Sequence, residues 1–164
     1  MPECASHQIL PDNSVITTPL SFDAAESKCF AAVPSLNTSV QTEQEVFETD
    51  FYTVHCNREL QKIVSITDRE TGEELLDQYA AFEFGQFIYL YIEEKTKPIS
   101  HIEIPKKIDF CLYEGDVAYV IEQRSYEEQS GAEITAQFIF YKKEKNIDID
   151  LSYKNALGLI GDFL

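Results

Sequence analysis

The sequence predicts an all-β protein built as an antiparallel β-sandwich, and three observations carry that reading. The last third of the chain contains three runs that alternate with a period of two, in "DVAYVIEQRSY", "AEITAQFIFYKK" and "NIDIDLSY". Such alternation places successive side chains on opposite faces of a strand. Turn signals separate the runs at short intervals: Glu114-Gly115-Asp116, "EEQSGAE" around Gly131, and "KKEKN". Strands joined so tightly pair antiparallel, because a parallel crossover needs a dozen or more residues. Lastly, helical spacing occurs only in "TGEELLDQYAAFEF", through Leu75, Leu76, Tyr79 and Phe82, and that run is short and lacks a good cap.

Taken in order, the first 45 residues carry Pro2, Pro11, Pro19 and Pro34 among many Ser and Thr, and read as an extended segment with strands near 15–22 and 28–33. They form a linker or small β-region ahead of a sandwich over 46–164. Within the sandwich, "FYTVHC" predicts a strand at 51–56 and "QKIVSIT" another at 61–67. Asp68 and Gly72 mark the reversal that follows, Gly72 being free to take a positive φ. The run that follows holds one helical turn at most. Residues 84–92, rich in aromatic and β-branched types, predict a buried strand, and "IDFCLY" predicts the next at 108–113. Then come 117–125, with Val117, Tyr119 and Ile121 opposite Ala118 and Val120, and 133–142, with Ile134, Ala136, Phe138 and Phe140 on one face. The last strand, 146–153, sets Ile147, Ile149, Leu151 and Tyr153 opposite Asp148, Asp150 and Ser152.

Composition bounds the function. The 164 residues give room for one domain, and 44% apolar with 12% aromatic residues supply a packed core. With 13 Lys and Arg against 29 Asp and Glu, the net charge of -16 repels a phosphate backbone. The basic runs, Lys106-Lys107 and "YKKEK", are interleaved with acids and apolar residues, so neither nucleic acid nor an anionic membrane is an expected partner. No run approaches the roughly 18 apolar residues of a membrane span. The start, "MPECASHQILPDNSV", has neither a basic nor an apolar leader region, and a cytoplasmic location is expected. Cys4, Cys29, Cys56 and Cys111 are irregularly spaced and read as reduced thiols, small buried hydrophobes in the case of Cys56 and Cys111.

The search for chemistry yields no catalytic residue and no metal ligand. His7, His55 and His101 are isolated from one another, with no zinc-binding spacing. Glu73-Glu74, Glu93-Glu94 and Glu127-Glu128 are adjacent pairs, which on a strand point to opposite faces, whereas glycoside hydrolysis needs two carboxylates converging across roughly 5 to 9 Å. No nucleophile elbow and no phosphate-binding glycine loop occurs. Tyr89, Tyr91, Tyr113, Tyr119, Tyr126 and Tyr153 are the aromatic residues able to stack on a sugar ring if exposed, and on two-sided strands most of them are expected to be core or cross-strand partners. Which residues face a carbohydrate is not defined by the sequence.

The order "ETDFYTV", then "LQKIVSITDRETGEELLD", then "FGQFIYLY" resembles the start of the C-terminal β-domain of glycoside hydrolase family 38, the α-mannosidases. Members read like N-x-F-Y-x-V, then G-x-I-x-S-I-x-D-K-E-x-G-x-E-L-V-D, then N-Q-L-x-Y. "GDVAYVIEQRSYEEQSGAEITAQFIFYKKEKNIDIDLSYKN" is similar to later strands of the same domain, and "CFAAVPSLNTSV" to the segment preceding it, so the resemblance covers about residues 28–155. Two departures stand out: Gln61 where a glycine is common, and Gly85-Gln86 where Asn-Gln is expected. The resemblance implies a portion of a galactose-mutarotase-like supersandwich. It also implies that zinc, its ligands and the nucleophile belong to a separate N-terminal domain absent from this chain, against which the β-domain packs. The expectation is a noncatalytic part of an α-mannosidase-like enzyme, without a cofactor of its own, supporting the catalytic domain, bordering the carbohydrate site and prone to self-association. The alternative is a freestanding carbohydrate-binding or protein-interaction β-sandwich.

Overall fold

Alternation of the kind read above produces twelve strands and, among the described residues, no helix. The computed structural model describes residues 7–11, 14–17, 38–91, 101–103, 108–127 and 131–154. In order these are β1 (His7–Ile9), β2 (Val15–Thr17), β3 (Val40–Thr42), β4 (Val46–Glu48), β5 (Tyr52–Asn57), β6 (Lys62–Asp68), β7 (Tyr89–Tyr91), β8 (His101–Glu103), β9 (Ile108–Glu114), β10 (Ala118–Tyr126), β11 (Glu133–Tyr141) and β12 (Ile147–Lys154). A five-stranded sheet runs β12-β11-β10-β9-β3, a three-stranded sheet runs β4-β5-β6, and β1-β2 and β7-β8 form two-stranded ribbons. Every pairing between named strands is antiparallel.

The two larger sheets face each other across one apolar core. The smaller sheet contributes Phe47, Tyr52, Val54, Cys56, Ile63 and Ile66, and the larger one Phe110, Leu112, Ile121, Ala136, Phe138 and Phe140. Burying each large side chain is worth about 1.5–3 kcal/mol, so this layer dominates the stability of the sandwich. Phe47 sits at its centre, stacked on Tyr119 at 4.5 Å and edge-on to Phe140 at 5.3 Å. The opposite face of the five-stranded sheet is covered at one end by the β1-β2 ribbon, through Leu10 and Ile16 against Val117, Ala118, Val120, Ile139 and Tyr141. Both faces of β10 are therefore buried, as the apolar residues on both sides of "AYVI" require. Gln8, wholly buried, locks the ribbon in place: its Oε1 accepts from the backbone N–H of Val117 at 3.0 Å and of Ala118 at 2.8 Å. Gly115 makes the room, since a Cβ there would lie 2.4 Å from that oxygen.

The reversal after β6 is built by Asp68. Its Oδ1 accepts from the N–H of Glu70 and Thr71, its N–H donates to the Glu73 carbonyl, and Gly72 completes the turn at φ +73. Glu74 then reaches back, accepting from Ser65 Oγ and from the N–H of Ile66 and Leu76, so the "SITDRETGEEL" run closes on itself. Lys145 from the β11–β12 turn pairs with Asp68 at 3.1 Å, and Tyr52 donates to the Lys145 carbonyl, tying the two sheets at this corner. The Thr71 N–H and Lys145 hold the Asp68 carboxyl below its ordinary range. With the folded value depressed, the stabilisation is fully present above the unfolded carboxylate range and disappears as pH falls through the folded value. Asp68→Ala is thus expected to lower stability at pH 7 and to shrink the difference in stability between pH 7 and pH 3. Asp68→Asn, which keeps the turn's acceptor but not the ion pair, falls between. Urea denaturation of the three proteins at both pH values checks the order.

Strand ends agree with the sequence reading to within about one residue for β5, β6 and β9 to β12. Two differences have physical causes. The strand expected over 84–92 begins only at Tyr89 in β7, because Gly85 takes φ +73 and the N–H of Gln86 turns back onto the Glu83 carbonyl, and its expected end at 92 lies outside the described residues. The strand expected at 15–22 is described only as β2, and the one expected at 28–33 lies outside the described residues. Strands β3 and β4 were not signalled: each is three residues long, too short for an alternation to register, and β3 nonetheless pairs with β9 in the large sheet.

Candidate functional site

The cavity that distinguishes this sandwich is a trough of about 720 Å³ at the β12 edge of the five-stranded sheet. The register of β11 and β12 sets Phe140 opposite Ile147, Phe138 opposite Ile149, Ala136 opposite Leu151 and Ile134 opposite Tyr153, all on the face that elsewhere forms the core. The smaller sheet covers this face over part of its width only. Along β12 beyond the half-buried Ile147 no described residue covers it, leaving Ile149 53%, Leu151 64% and Tyr153 69% exposed while Phe138 is 3% and Phe140 0% exposed. Residues 84–88 form the facing wall, with Phe84 tilted against Phe138 at 5.2 Å and Phe87 buried in the core. Gly85 is what lets this wall approach, since a Cβ there would stand 2.8 Å from Phe138 Cζ and 3.0 Å from Gln123 Oε1. Behind it, Gln123 donates through Nε2 to the Gln61 carbonyl at 3.1 Å, and Gln61 is the non-glycine residue with positive φ, +53, among those described.

Among the described residues no charged side chain lines the trough, and Gln86, Ser152 and the Tyr153 hydroxyl are the polar side chains there. The size suits a ligand, but ligand sites add convergent polar groups to an apolar lining. Sugar hydroxyls placed here would lose water partners without regaining them, at a cost of about 1–3 kcal/mol each. The chemistry on offer is burial of apolar surface. A second, polar cleft of about 420 Å³ lies between Thr38, Val40, Thr42 and Glu114, Asp116, Lys142. There Glu114 Oε1 already accepts from Lys142 Nζ and from the Tyr119 hydroxyl, both at 3.1 Å, so that carboxylate serves the fold.

The residues singled out in the sequence are scattered. Tyr153 lies in the trough, and Tyr126, 55% exposed, is on the far end of β10. Tyr119 is stacked on Phe47 under Lys142, whose Nζ is 4.5 Å from the ring centroid, and Tyr113 packs against the second core cluster. Burial and the neighbouring Cys111 push the Tyr113 hydroxyl up to about 12. Tyr89 and Tyr91 lie on β7, and their side chains are outside the described residues, as are those of His7 and His101. His55 is exposed on β5. Cys56 is a buried thiol whose pKa desolvation pushes up to about 12, and Cys111 is half-buried; Cys4 and Cys29 lie outside the described residues. Among the described residues no three His, Cys, Asp or Glu side chains converge on a common point, and no helix is long and apolar enough to cross a membrane.

Sequence reasoning identified the apolar face of β12 but not that it is uncovered, nor that 84–88 is its facing wall. No family model matches the chain, and no curated protein and no solved structure is significantly similar to it.

Proposed function

We propose that this chain is a noncatalytic β-sandwich portion of an α-mannosidase-like glycoside hydrolase, one that docks on a larger domain by burying its trough and β12 face. The observation that carries the reading concerns the two positions at which the sequence departs from the family pattern. Gln61 stands where the pattern has glycine, and Gly85 where it has asparagine; both take left-handed backbone conformations, at φ +53 and +73. Glycine and asparagine are the two residue types that enter this region most readily. Both positions are thus left-handed here and carry, in the pattern, residue types that tolerate that conformation, which supports the reading, while the lack of room for a Cβ at Gly85 beside Phe138 is this chain's own feature. The closed "SITDRETGEEL" turn supports the reading further, since Asp68, Gly72 and Glu74 each have a structural task there. The supersandwich of the family, the partner's zinc and the bordering carbohydrate site belong to the same proposal, as does a cytoplasmic location.

A docking role explains why core-type side chains continue past the cover of the smaller sheet, since contiguous exposed apolar patches mark interaction surfaces. It also accounts for the absence of charge among the described residues that line the trough. Catalysis belongs to the partner domain in this reading. The purified chain, assayed with an aryl α-mannoside while bound metal is measured on the same sample, is expected to give no turnover and no stoichiometric zinc. Titration with mannosides should give dissociation constants on the order of millimolar or weaker, because a few tyrosine contacts barely offset the cost of association. Zinc-dependent release of the aryl group, abolished by a chelator and restored by zinc, would overturn the proposal.

A further inference from the structure

Among the described residues the long open edge is β12. Of the other edges, β3 and β4 are three residues each, and β6 is partly covered by the Thr67–Glu74 bridge and the Leu75 N–H bonded to the Ile66 carbonyl. Strand β12 spans Ile147–Lys154, pairs with β11 on one side, and has no strand beside it on the other among the described residues. It carries no proline and no bulge, and its charged side chains are Asp148, Asp150 and the terminal Lys154, so addition of a strand depends on how these charges are opposed. We propose that β12 pairs antiparallel with β12 of a second copy of this chain, about a two-fold axis at Leu151, joining the two five-stranded sheets into one.

The occupant and the register both follow from the residue pattern. A two-fold axis normal to the sheet keeps each face continuous, so only registers that oppose residues of like face are allowed; a one-residue slip would set apolar side chains against polar ones. Centring on Ile149 opposes Asp148 to Asp150 of the second copy twice, and centring on Asp150 sets the two Asp150 carboxylates face to face. Like charges directly opposite destabilise a sheet. Centring on Leu151 removes every such conflict. Asp148 then faces Lys154 of the second copy, Asp150 faces Ser152, Ile149 faces Tyr153 and Leu151 faces itself. Centring on Ser152 also avoids like charges, but its ladder spans only Asp150 to Lys154, whereas the Leu151 register spans Asp148 to Lys154. The strand is therefore self-complementary in charge and in apolar contact over its longest ladder at that register, alongside the hydrogen bond that Asp148 accepts from the Tyr141 hydroxyl and the Glu133 carboxylate 4.0 Å from Lys154 within each copy.

Pairing there also extends the trough. Leu151 and Tyr153 of the second copy continue the apolar face beyond Ile149, so each copy supplies part of the other's wall. Because the ladder uses the backbone edge while docking uses the side-chain face, this proposal stands whether or not the partner is a mannosidase domain.

Two variants test it. Under mild oxidation Leu151→Cys is expected to give a disulfide-linked dimer, since only residue 151 lies opposite itself at a separation a disulfide spans. Ser152→Cys and the unsubstituted protein, treated alike, should give little. In sedimentation equilibrium of the full chain, Lys154→Asp should weaken the dimer about tenfold by opposing Asp148 to a second carboxylate, and Asp148→Lys combined with Lys154→Asp should restore it. A monomeric wild-type protein, cross-linking that favours Ser152→Cys, or a dimer indifferent to Lys154→Asp would overturn the proposal. So would a chain lacking residues 155–164 that dimerises where the full chain does not, which would show the edge to be covered by its own terminus.

Discussion

Replacing Phe140 by Ala is expected to cost about 3–5 kcal/mol of stability, close to what a large buried aromatic residue carries when its site cannot collapse. Phe140 is wholly buried, faces the smaller sheet and meets Phe47 edge-on at 5.3 Å, so its removal opens a hole between two sheets whose backbones are fixed by their own ladders. Leu151, one strand over on the same face but 64% exposed, should cost less than about 0.5 kcal/mol when cut to Ala. Urea denaturation read by fluorescence or circular dichroism measures both. The contrast matters more than either value: equal losses would mean that β12 is as covered as β11, and the open trough would be wrong.

The second large effect is expected at Gly85. Ala there must hold a left-handed backbone, at about 1–2 kcal/mol, and must push its Cβ away from Phe138 Cζ, 2.8 Å from the ideal position, at roughly 1–3 kcal/mol more. A total of about 2–5 kcal/mol is expected from the same denaturation experiment. The origin of the loss can be separated. Gly85→Asn tolerates the backbone but keeps the collision, so it should be much better accepted in a Phe138→Leu background than alone, with a coupling of about 1 kcal/mol or more. Additive effects would show that Phe138 does not set the residue at 85.

Much of this fold was legible because antiparallel strands write themselves in a period of two. The faces of 133–142 and 146–153 were readable residue by residue, and Asp68 and Gly72 announced their turn by residue type alone. What could not be read was which faces acquire a cover. Ile149 and Phe138 look alike in sequence, both apolar at alternate positions, and only the breadth of the smaller sheet separates an exposed residue from a buried one. The break at Gly85 was hidden for a related reason: "EFGQFIYLYIEE" has strand composition throughout, and the side chain that leaves no room for a Cβ at residue 85 is Phe138, far away in the chain. The same limit applies to Gln8, an unremarkable polar residue in sequence that turns out to cap two buried backbone N–H groups through a long-range contact.

The central claim is that the trough beside β12 is an apolar docking surface, and the most direct measurement is the binding of an uncharged solvatochromic dye to the folded protein at concentrations where it is monomeric. The account predicts saturable binding with a blue-shifted emission, weakened about tenfold or more by Leu151→Asp without a change in the urea midpoint. Absence of binding, or binding that Leu151→Asp leaves unaltered, would contradict it.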